Sequence, residues 1–330
     1  MIKKGISVVI PNYNGRELLV YILPPLLKAL KKTVLPFEII ISDDNSIDDS
    51  IFFLESEYPD IILIKNPNNR GFSPTINEGI FISNFDYVLL LNNDVILTED
   101  YFIPLLRYFD KEDTFGVMGK IIGWDDDQIQ DGAKYPNFHG LKIKTNGNYI
   151  SKNPCKNDWL YSIYLSGANA LIDRKKLMQL RGFDEMFAPF YVEDYELSIR
   201  AWRLGWKCYY EHFAVCRHKT SFSIKKKNKK LYIKAIYNRN KMFLHSIHLS
   251  RMSLFLYFIQ LTAEAILNIL ILRWNYLNAI RMFLFDIEKI KKARRNILMI
   301  SKELKRPALS LRAVVKKIRL NIKLKEIDLF

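Results

Sequence analysis

The chain has few cysteines, and their spacing does not match a disulfide framework or a CxxC motif. Cys155, Cys208 and Cys216 are its only three among 330 residues, and no CxxC pair occurs. This argues against a disulfide framework and is typical of reduced thiols in a cytoplasmic protein. The first apolar run, residues 6–10, is also too short for the core of a signal peptide, so we expect a cytoplasmic location.

Acidic residues are scarce in the last third of the chain. Residues 219–330 hold 26 lysines and arginines against six aspartates and glutamates, whereas residues 1–218 hold 24 against 29. The net charge of +15 therefore comes from the C-terminal end. We predict a first domain in residues 1–220 and a helical, basic region in residues 221–330.

Residues 1–220 alternate short apolar runs with amphipathic stretches. This pattern indicates an α/β fold with a mostly parallel central sheet flanked by helices. Strands are predicted at residues 6–10, 38–42, 61–65, 87–91, 117–122 and 165–172. Helices are predicted at residues 15–32, 73–83, 100–109 and 195–204, the first broken at Pro24 and Pro25. Residues 124–158 indicate loops with short antiparallel strands.

From Leu231 onward the pattern is that of nearly continuous helix. Residues 252–272 form an apolar stretch long enough to cross a membrane. However, Gln260, Glu264 and Asn268 recur every four residues and so form one polar stripe, and a glutamate inside a bilayer is costly unless it is paired. The stripe favours a helix that packs on a partner or lies in a membrane interface.

Polar and acidic residues gather where predicted strands end. Parallel strands bring their carboxyl ends to one edge of a sheet, which is where open α/β sheets bind ligands. The residues grouped at these ends are Pro11, Asn12, Tyr13, Asn14, Asp43, Asp44, Asn69, Gly71, Phe72, Asn77, Asn92, Asn93 and Asp94. Asp94 suits Mg²⁺ or Mn²⁺, which bind one or two carboxylates and complete their shell with phosphate oxygens. Asp43 or Asp44 is placed to accept a hydrogen bond from the N–H of a nucleotide base.

Two further features allow two interpretations each. Glu193 and Asp194 open a predicted helix, where they either complement the helix dipole or supply a general base. His218 follows an apolar run and is either a structural histidine or a metal ligand.

These segments, taken in order, resemble the family 2 glycosyltransferases, and in particular the rhamnosyltransferase-like branch that builds bacterial surface polysaccharides. The resemblance covers about residues 1–220. The matching segments are residues 8–15, 41–48, 69–72 with Asn77 and Gly79, 91–94, 166–170 and 182–185, followed by Glu193, Asp194 and His218.

The resemblance implies the GT-A nucleotide-diphospho-sugar transferase fold and an inverting transfer from a nucleotide-sugar donor, dTDP-rhamnose or a UDP-sugar. It further implies that Asp43 or Asp44 holds the base, that Asp94 binds a divalent cation, and that Asp194 is the catalytic base. His218 becomes a candidate ligand of the metal or the diphosphate. The implied acceptor is a glycan or a lipid-pyrophosphate-linked sugar.

One departure leaves alternatives open. Asn92 stands where the family's DxD motif begins with Asp, which removes a negative charge from the metal site. This motivates a second hypothesis, a degenerate protein that binds nucleotide-sugars without turnover. A sugar nucleotidyltransferase would need a Gly-rich loop with Lys or Arg after the first strand, and residues 11–15 offer none.

The basic region has three interpretations. Its lysines and arginines alternate with apolar residues at helical spacing, as in residues 287–300 and 309–324. They form a solvated face, or they hold the enzyme on anionic lipid at the inner face of the cell membrane. No aromatic-interleaved pattern supports nucleic acid as a partner. We expect peripheral membrane attachment.

Overall fold

The computed structural model describes residues 3–219 and 230–330. Residues 221–229 of the predicted basic region lie outside the described residues. The strands are β1 Lys3–Asn12, β2 Phe37–Asp43, β3 Ile62–Lys65, β4 Phe85–Leu91, β5 Val95–Leu97, β6 Thr114–Gly123, β7 Ile129–Asp131, β8 Ala133–His139, β9 Lys142–Ser151, β10 Leu160–Tyr161, β11 Asn169–Asp173, β12 Lys207–His218 and β13 Ile327–Leu329. The helices are α1 Arg16–Lys32, α2 Ser50–Glu57, α3 Phe72–Ile82, α4 Phe102–Leu106, α5 Arg174–Gln179, α6 Glu193–Arg203, α7 Lys230–His248, α8 Arg251–Leu270, α9 Trp274–Phe285, α10 Ile287–Glu303 and α11 Leu311–Lys323.

The central sheet runs in the order β10-β12-β6-β11-β4-β1-β2-β3. Strands β3, β2, β1 and β4 are parallel, as are β6 and β12. Strand β11 lies between β4 and β6 and is antiparallel to both. The predicted mostly parallel α/β sheet is therefore confirmed, with β11 reversed at its centre and the short strands β5, β7 and β10 pairing antiparallel with β12 or β6.

Apolar side chains cover both faces of this sheet. Along β1, Val9 packs into one core and its neighbours Val8 and Ile10 into the other. Because successive side chains of a strand point to opposite faces, a run that is apolar throughout needs helices on both sides. Here α3 contacts one face of β1 and β2, while α1 buries its apolar residues in the opposite core.

Two predictions about local structure are wrong. Helix α1 continues through Pro24 and Pro25, because apolar residues on both sides of the pair, among them Ile22 and Leu26, are fully buried and hold the helix against the sheet. Strand β11 begins at Asn169, four residues later than predicted. The residues before it form a turn that reaches the edge of the sheet where the polar residues lie.

The C-terminal helices pack on the first domain. Helix α11 contacts β8, β10 and α6, and helices α9 and α10 pack on α7. The chain ends in β13, which pairs with β9 in a small antiparallel sheet of β13, β9 and β8. Strands β12 and β13 were not predicted from the sequence.

Candidate active site

The ends of β1, β2 and β4 meet the loop before α6 around a cleft of about 540 Å³. We call it the central cleft. The predicted site residues that line it are Pro11, Asn12, Tyr13, Asp44, Asn69, Gly71, Phe72, Asn92, Asn93, Asp94, Glu193, Asp194 and His218. Residues separated by up to 207 positions in the sequence thus share one cavity at the carboxyl edge of the sheet.

Three predicted residues do not line the cleft. Asp43 is fully buried and accepts hydrogen bonds from Asn12 Nδ2 at 2.8 Å and Ser46 Oγ at 2.6 Å, so it holds the first two loops together. The Asn14 side chain accepts from the Ile47 N–H. Asn77 exchanges two hydrogen bonds with the backbone of Phe183, behind the cleft.

Asp44 organises the loop that follows β3. Its two carboxylate oxygens accept from the backbone N–H groups of Arg70 and Gly71 at 2.8 and 2.9 Å. Gly71 has a φ of +87°, and a Cβ there would lie 2.6 Å from Pro189 Cα. Only glycine fits this close approach, which brings the loop after β3 against the loop before α6.

Asp94 and His218 are brought together by strand register. β5 follows Asp94 directly and pairs antiparallel with the end of β12, so that Val95 lies opposite His218. His218 Nε2 lies 3.5 Å from Asp94 Oδ1. The family resemblance placed both residues at the metal or diphosphate, but the strand pairing that brings them together was not predicted, because β12 was not predicted.

The oxygens around Asp94 fit a divalent cation. Asp94 Oδ1 and Asn92 Oδ1 are buried and have no hydrogen-bond partner within residues 3–219 and 230–330. Buried oxygens without a partner are costly, and a cation would satisfy them. No group of three His, Cys, Asp or Glu side chains able to hold a metal occurs in the described part of the chain. Asp94 and His218 would therefore hold the ion with substrate phosphates completing its shell, as Mg²⁺ and Mn²⁺ commonly require.

The Glu193–Asp194 pair begins α6 and faces the cleft. Glu193 is buried, and burial together with the adjacent Asp194 charge raises its pKa well above the usual glutamate range. Burial also raises the pKa of Asp194, to about 6, although the backbone N–H groups of Tyr195 and Gly167 lower it in part. Burial raises both pKa values, and the neighbouring Asp194 charge raises that of Glu193 further, so a proton held between the two carboxyl groups is favoured on Glu193 and Asp194 is the better candidate for a base.

A strained turn directly precedes Glu193 and Asp194 and positions them. Tyr191 and Val192 both have a φ of +75°, a left-handed conformation that is a clear outlier for a β-branched residue such as valine. Asn240, fully buried on α7, holds the turn. Its Nδ2 lies 2.7, 3.1 and 2.8 Å from the carbonyl oxygens of Phe187, Phe190 and Tyr191. A residue of the C-terminal region therefore fixes the geometry of the turn that carries Glu193 and Asp194.

We expect Asn240→Asp to lower kcat by about 10- to 100-fold, because small displacements of a catalytic group are that costly. A carboxylate has no N–H to offer the three carbonyl oxygens, so the strained turn relaxes. Steady-state kinetics with calorimetry would check this, with donor affinity expected to stay unchanged. Asn238→Asp, a half-buried position on the same helix, is the matched control. Equal kinetics in both variants would contradict the positioning role.

Sequence reasoning missed other residues that line the cleft. They are Thr75, Pro189, Phe190, Tyr191 and Tyr232. Most are apolar or aromatic and carry no motif. Tyr232 belongs to the region predicted to be separate from the site. Only the packing of α7 against the loop before α6 brings it there.

The chain is similar in sequence to two known proteins. It is 23% identical over 241 residues to the chondroitin synthase of Escherichia coli, covering 64% of this chain and 34% of that protein. It is also 23% identical over 215 residues to the N-acetylglucosaminyl-diphospho-decaprenol L-rhamnosyltransferase of Mycobacterium tuberculosis, covering 57% of this chain and 68% of that one. The chain thus spans about a third of the synthase's length.

Two solved structures share the fold. GalNAc-T7 with UDP, GalNAc and Mn²⁺ superposes with a TM-score of 0.69 at 14% identity, covering 98% of this chain and 58% of that chain. The mannosyltransferase PcManGT of Pyrobaculum calidifontis, with GDP-Man and Mn²⁺, gives 0.52 at 12% identity, covering 98% and 85%. Both support the predicted GT-A fold.

The family model described as glycosyl transferase family 2 matches residues 7–181, which hold the strand-end loops of the central cleft up to Asp94. This is more than half of the chain and confirms the predicted family. The protein is a family 2 glycosyltransferase.

Proposed function

We propose that this enzyme transfers a sugar, with inversion, from a nucleotide-diphosphate donor to a hydroxyl of a glycan or lipid-pyrophosphate-linked acceptor in cell-surface polysaccharide synthesis. The observation that carries the proposal is that one cleft holds two aspartates, Asp94 and Asp194, in different chemical environments. Asp94 presents an unpartnered oxygen beside His218, and Asp194 is a carboxylate with a raised pKa. The first suits a charged leaving group and the second suits a hydroxyl.

The donor half is formed by Asp44, Asp94 and His218. Asp44 and the loop it organises would hold the nucleoside, and Asp94 with His218 would hold a divalent cation against the diphosphate. When bound, that cation offsets the negative charge that develops on the departing nucleoside diphosphate. Asn12 and Asn93 hydrogen-bond each other at 2.9 Å beside this half and keep the first and fourth loops in register.

The acceptor half depends on Asp194. The acceptor hydroxyl attacks the anomeric carbon from the face opposite the diphosphate, its new C–O bond forms as the bond to the diphosphate breaks, and Asp194 takes its proton. Attack from the opposite face inverts the anomeric configuration. Glu193, protonated at neutral pH, would donate a hydrogen bond rather than accept a proton.

The named relatives support a donor of this class. The mycobacterial relative is a rhamnosyltransferase acting on a diphospho-decaprenol-linked sugar, and the two structural neighbours hold UDP and GDP-Man. These names span several nucleotides, so we keep dTDP-rhamnose and UDP-sugars as the donor candidates and Mg²⁺ or Mn²⁺ as the cation.

Calorimetry with UDP-, GDP- and dTDP-sugars, in Mg²⁺, Mn²⁺ or EDTA, tests the proposal directly. We expect one nucleotide class to bind in the micromolar range and to lose about tenfold or more in affinity when EDTA removes the cation, since 1.4 kcal/mol of metal–phosphate interaction is already tenfold. Folded protein that binds none of them would contradict the donor-site assignment.

A further inference from the structure

Helix α8 turns its apolar side outward. We define its outer face as Met252, Phe255, Leu256, Ile259, Ile266, Leu267 and Leu270, which are between 45% and 73% exposed. Their spacing of three and four residues puts them on one side of the helix. The segment that follows continues with the exposed residues Leu272 and Trp274. A contiguous exposed apolar surface of this kind marks an interaction site.

The inner side of α8 buries Tyr257 and Leu261 and also carries polar residues that bond to the first domain. Glu264 accepts two hydrogen bonds from Lys142 Nζ, at 2.5 and 2.6 Å, and one from Gln260 Nε2 at 2.9 Å. Burial pushes its pKa up, but these bonds and one from the Tyr276 hydroxyl outweigh burial and lower it. Glu264 is therefore ionised and paired with β9, which carries Lys142.

This pairing decides how α8 can meet a bilayer. Among the described residues, α8 is the single helix that is long and apolar enough, by length and composition, to cross a membrane. A crossing helix that kept the Lys142–Glu264 pair would carry β9 and its partners β8 and β13 into the hydrocarbon, where the open edges of this small sheet leave backbone groups without partners. A helix lying parallel to the surface keeps the pair outside the hydrocarbon and immerses only the outer face.

We propose that the outer face of α8 docks in the plane of an anionic lipid surface, with the helix parallel to the membrane. Charge complementarity selects this occupant. Residues 219–330 carry 26 basic against six acidic residues, and Arg251 and Arg273 flank the helix. A second copy of the chain would bring two strongly basic regions together, whereas anionic headgroups neutralise them. Trp274 suits the depth of the headgroups.

The inference deepens the proposed function, because it would hold the enzyme where a lipid-linked acceptor lies. Docking itself requires no donor or acceptor. Lipid docking and sugar transfer can therefore fail separately.

Vesicle flotation of the full chain tests the docking. We expect the protein to float with phosphatidylcholine vesicles that contain about 30% phosphatidylglycerol and much less with phosphatidylcholine alone, since each basic residue gains only near anionic lipid. The double variant Ile259→Gln/Ile266→Gln should lose about tenfold or more in partitioning, because it removes two apolar side chains from the surface that would enter the lipid. Phe52→Gln/Ile103→Gln, two exposed apolar residues of the first domain, is the matched control and should float like the wild type.

Three results would overturn the proposal. They are a wild type that does not float, a double variant that floats equally well, and a dimer by light scattering that the double variant abolishes without any change in flotation. Calorimetry with nucleotide-sugars on the same proteins separates the two hypotheses. Normal flotation without donor binding contradicts the proposed function alone, and normal donor binding without flotation contradicts the docking alone.

Discussion

Asp194→Asn is expected to lower kcat by about 10³-fold, since a general base typically contributes 10²- to 10⁴-fold. The variant keeps the shape of the side chain but cannot accept the proton of the acceptor hydroxyl. Donor affinity should stay within a factor of two to three, because Asp194 faces the acceptor side of the cleft. Transfer assays with calorimetry on the same preparation would measure both quantities. A full loss of donor binding would instead indicate that the substitution disturbs the fold.

Glu193→Gln is the matched control for this result. Burial keeps Glu193 protonated near neutral pH, and glutamine is close in shape to a neutral glutamate, so we expect less than a tenfold effect. The pH profile gives an independent check. A base works when deprotonated, and its raised pKa of about 6 means that kcat/KM should fall as the pH drops through 6, rather than through the usual aspartate range. A larger loss in Glu193→Gln than in Asp194→Asn would exchange the two roles.

The fold of the sheet and most of the cleft residues could be predicted from the sequence, and the reason is physical. Strands buried on both faces are apolar throughout, so β1, β2 and β4 are visible as runs of apolar residues that end in polar residues. Because parallel strands share one carboxyl edge, the residues that follow them had to lie close together. Asp94 follows from this argument alone, whereas the same argument left Asp43 and Asp44 as alternatives.

What the sequence did not reveal depends on long-range packing. Strand β12 mixes polar and apolar residues, so its position beside β6 could not be predicted, and only the family resemblance indicated that His218 lies near Asp94. Asn240 looks like any helical asparagine until α7 packs beside the loop that it holds. The predicted break of α1 at Pro24 and Pro25 does not occur, because burial of the apolar residues around them outweighs the backbone hydrogen bonds that proline cannot make.

The C-terminal region is consequently more than a basic appendage. Tyr232 lines the central cleft, and Asn240 bonds the turn that carries Glu193 and Asp194. If α8 docks on lipid as proposed, the same region would join the membrane surface to the catalytic turn. Truncation after residue 220 should then remove activity as well as membrane attachment.

Asp94→Asn is expected to weaken donor binding in Mn²⁺ by about 10- to 100-fold, or about 1.4–2.8 kcal/mol, and to remove its sensitivity to EDTA, since the cation that would bridge to the diphosphate loses its carboxylate ligand. Asparagine keeps the size of the Asp94 side chain but removes its negative charge. Because residue 92 is already an uncharged asparagine, neither position would then offer a carboxylate to the cation. The Oδ1 of Asp94 lies beside His218, whereas both carboxylate oxygens of Asp44, the other acidic residue of the donor half, already accept hydrogen bonds from the backbone N–H groups of Arg70 and Gly71. Asp60→Asn, at an exposed site before β3, is the charge-matched control and should bind donor normally. If Asp94→Asn binds as the wild type does and EDTA has no effect on either, the enzyme holds its diphosphate without a metal, and His218 becomes the candidate for that contact.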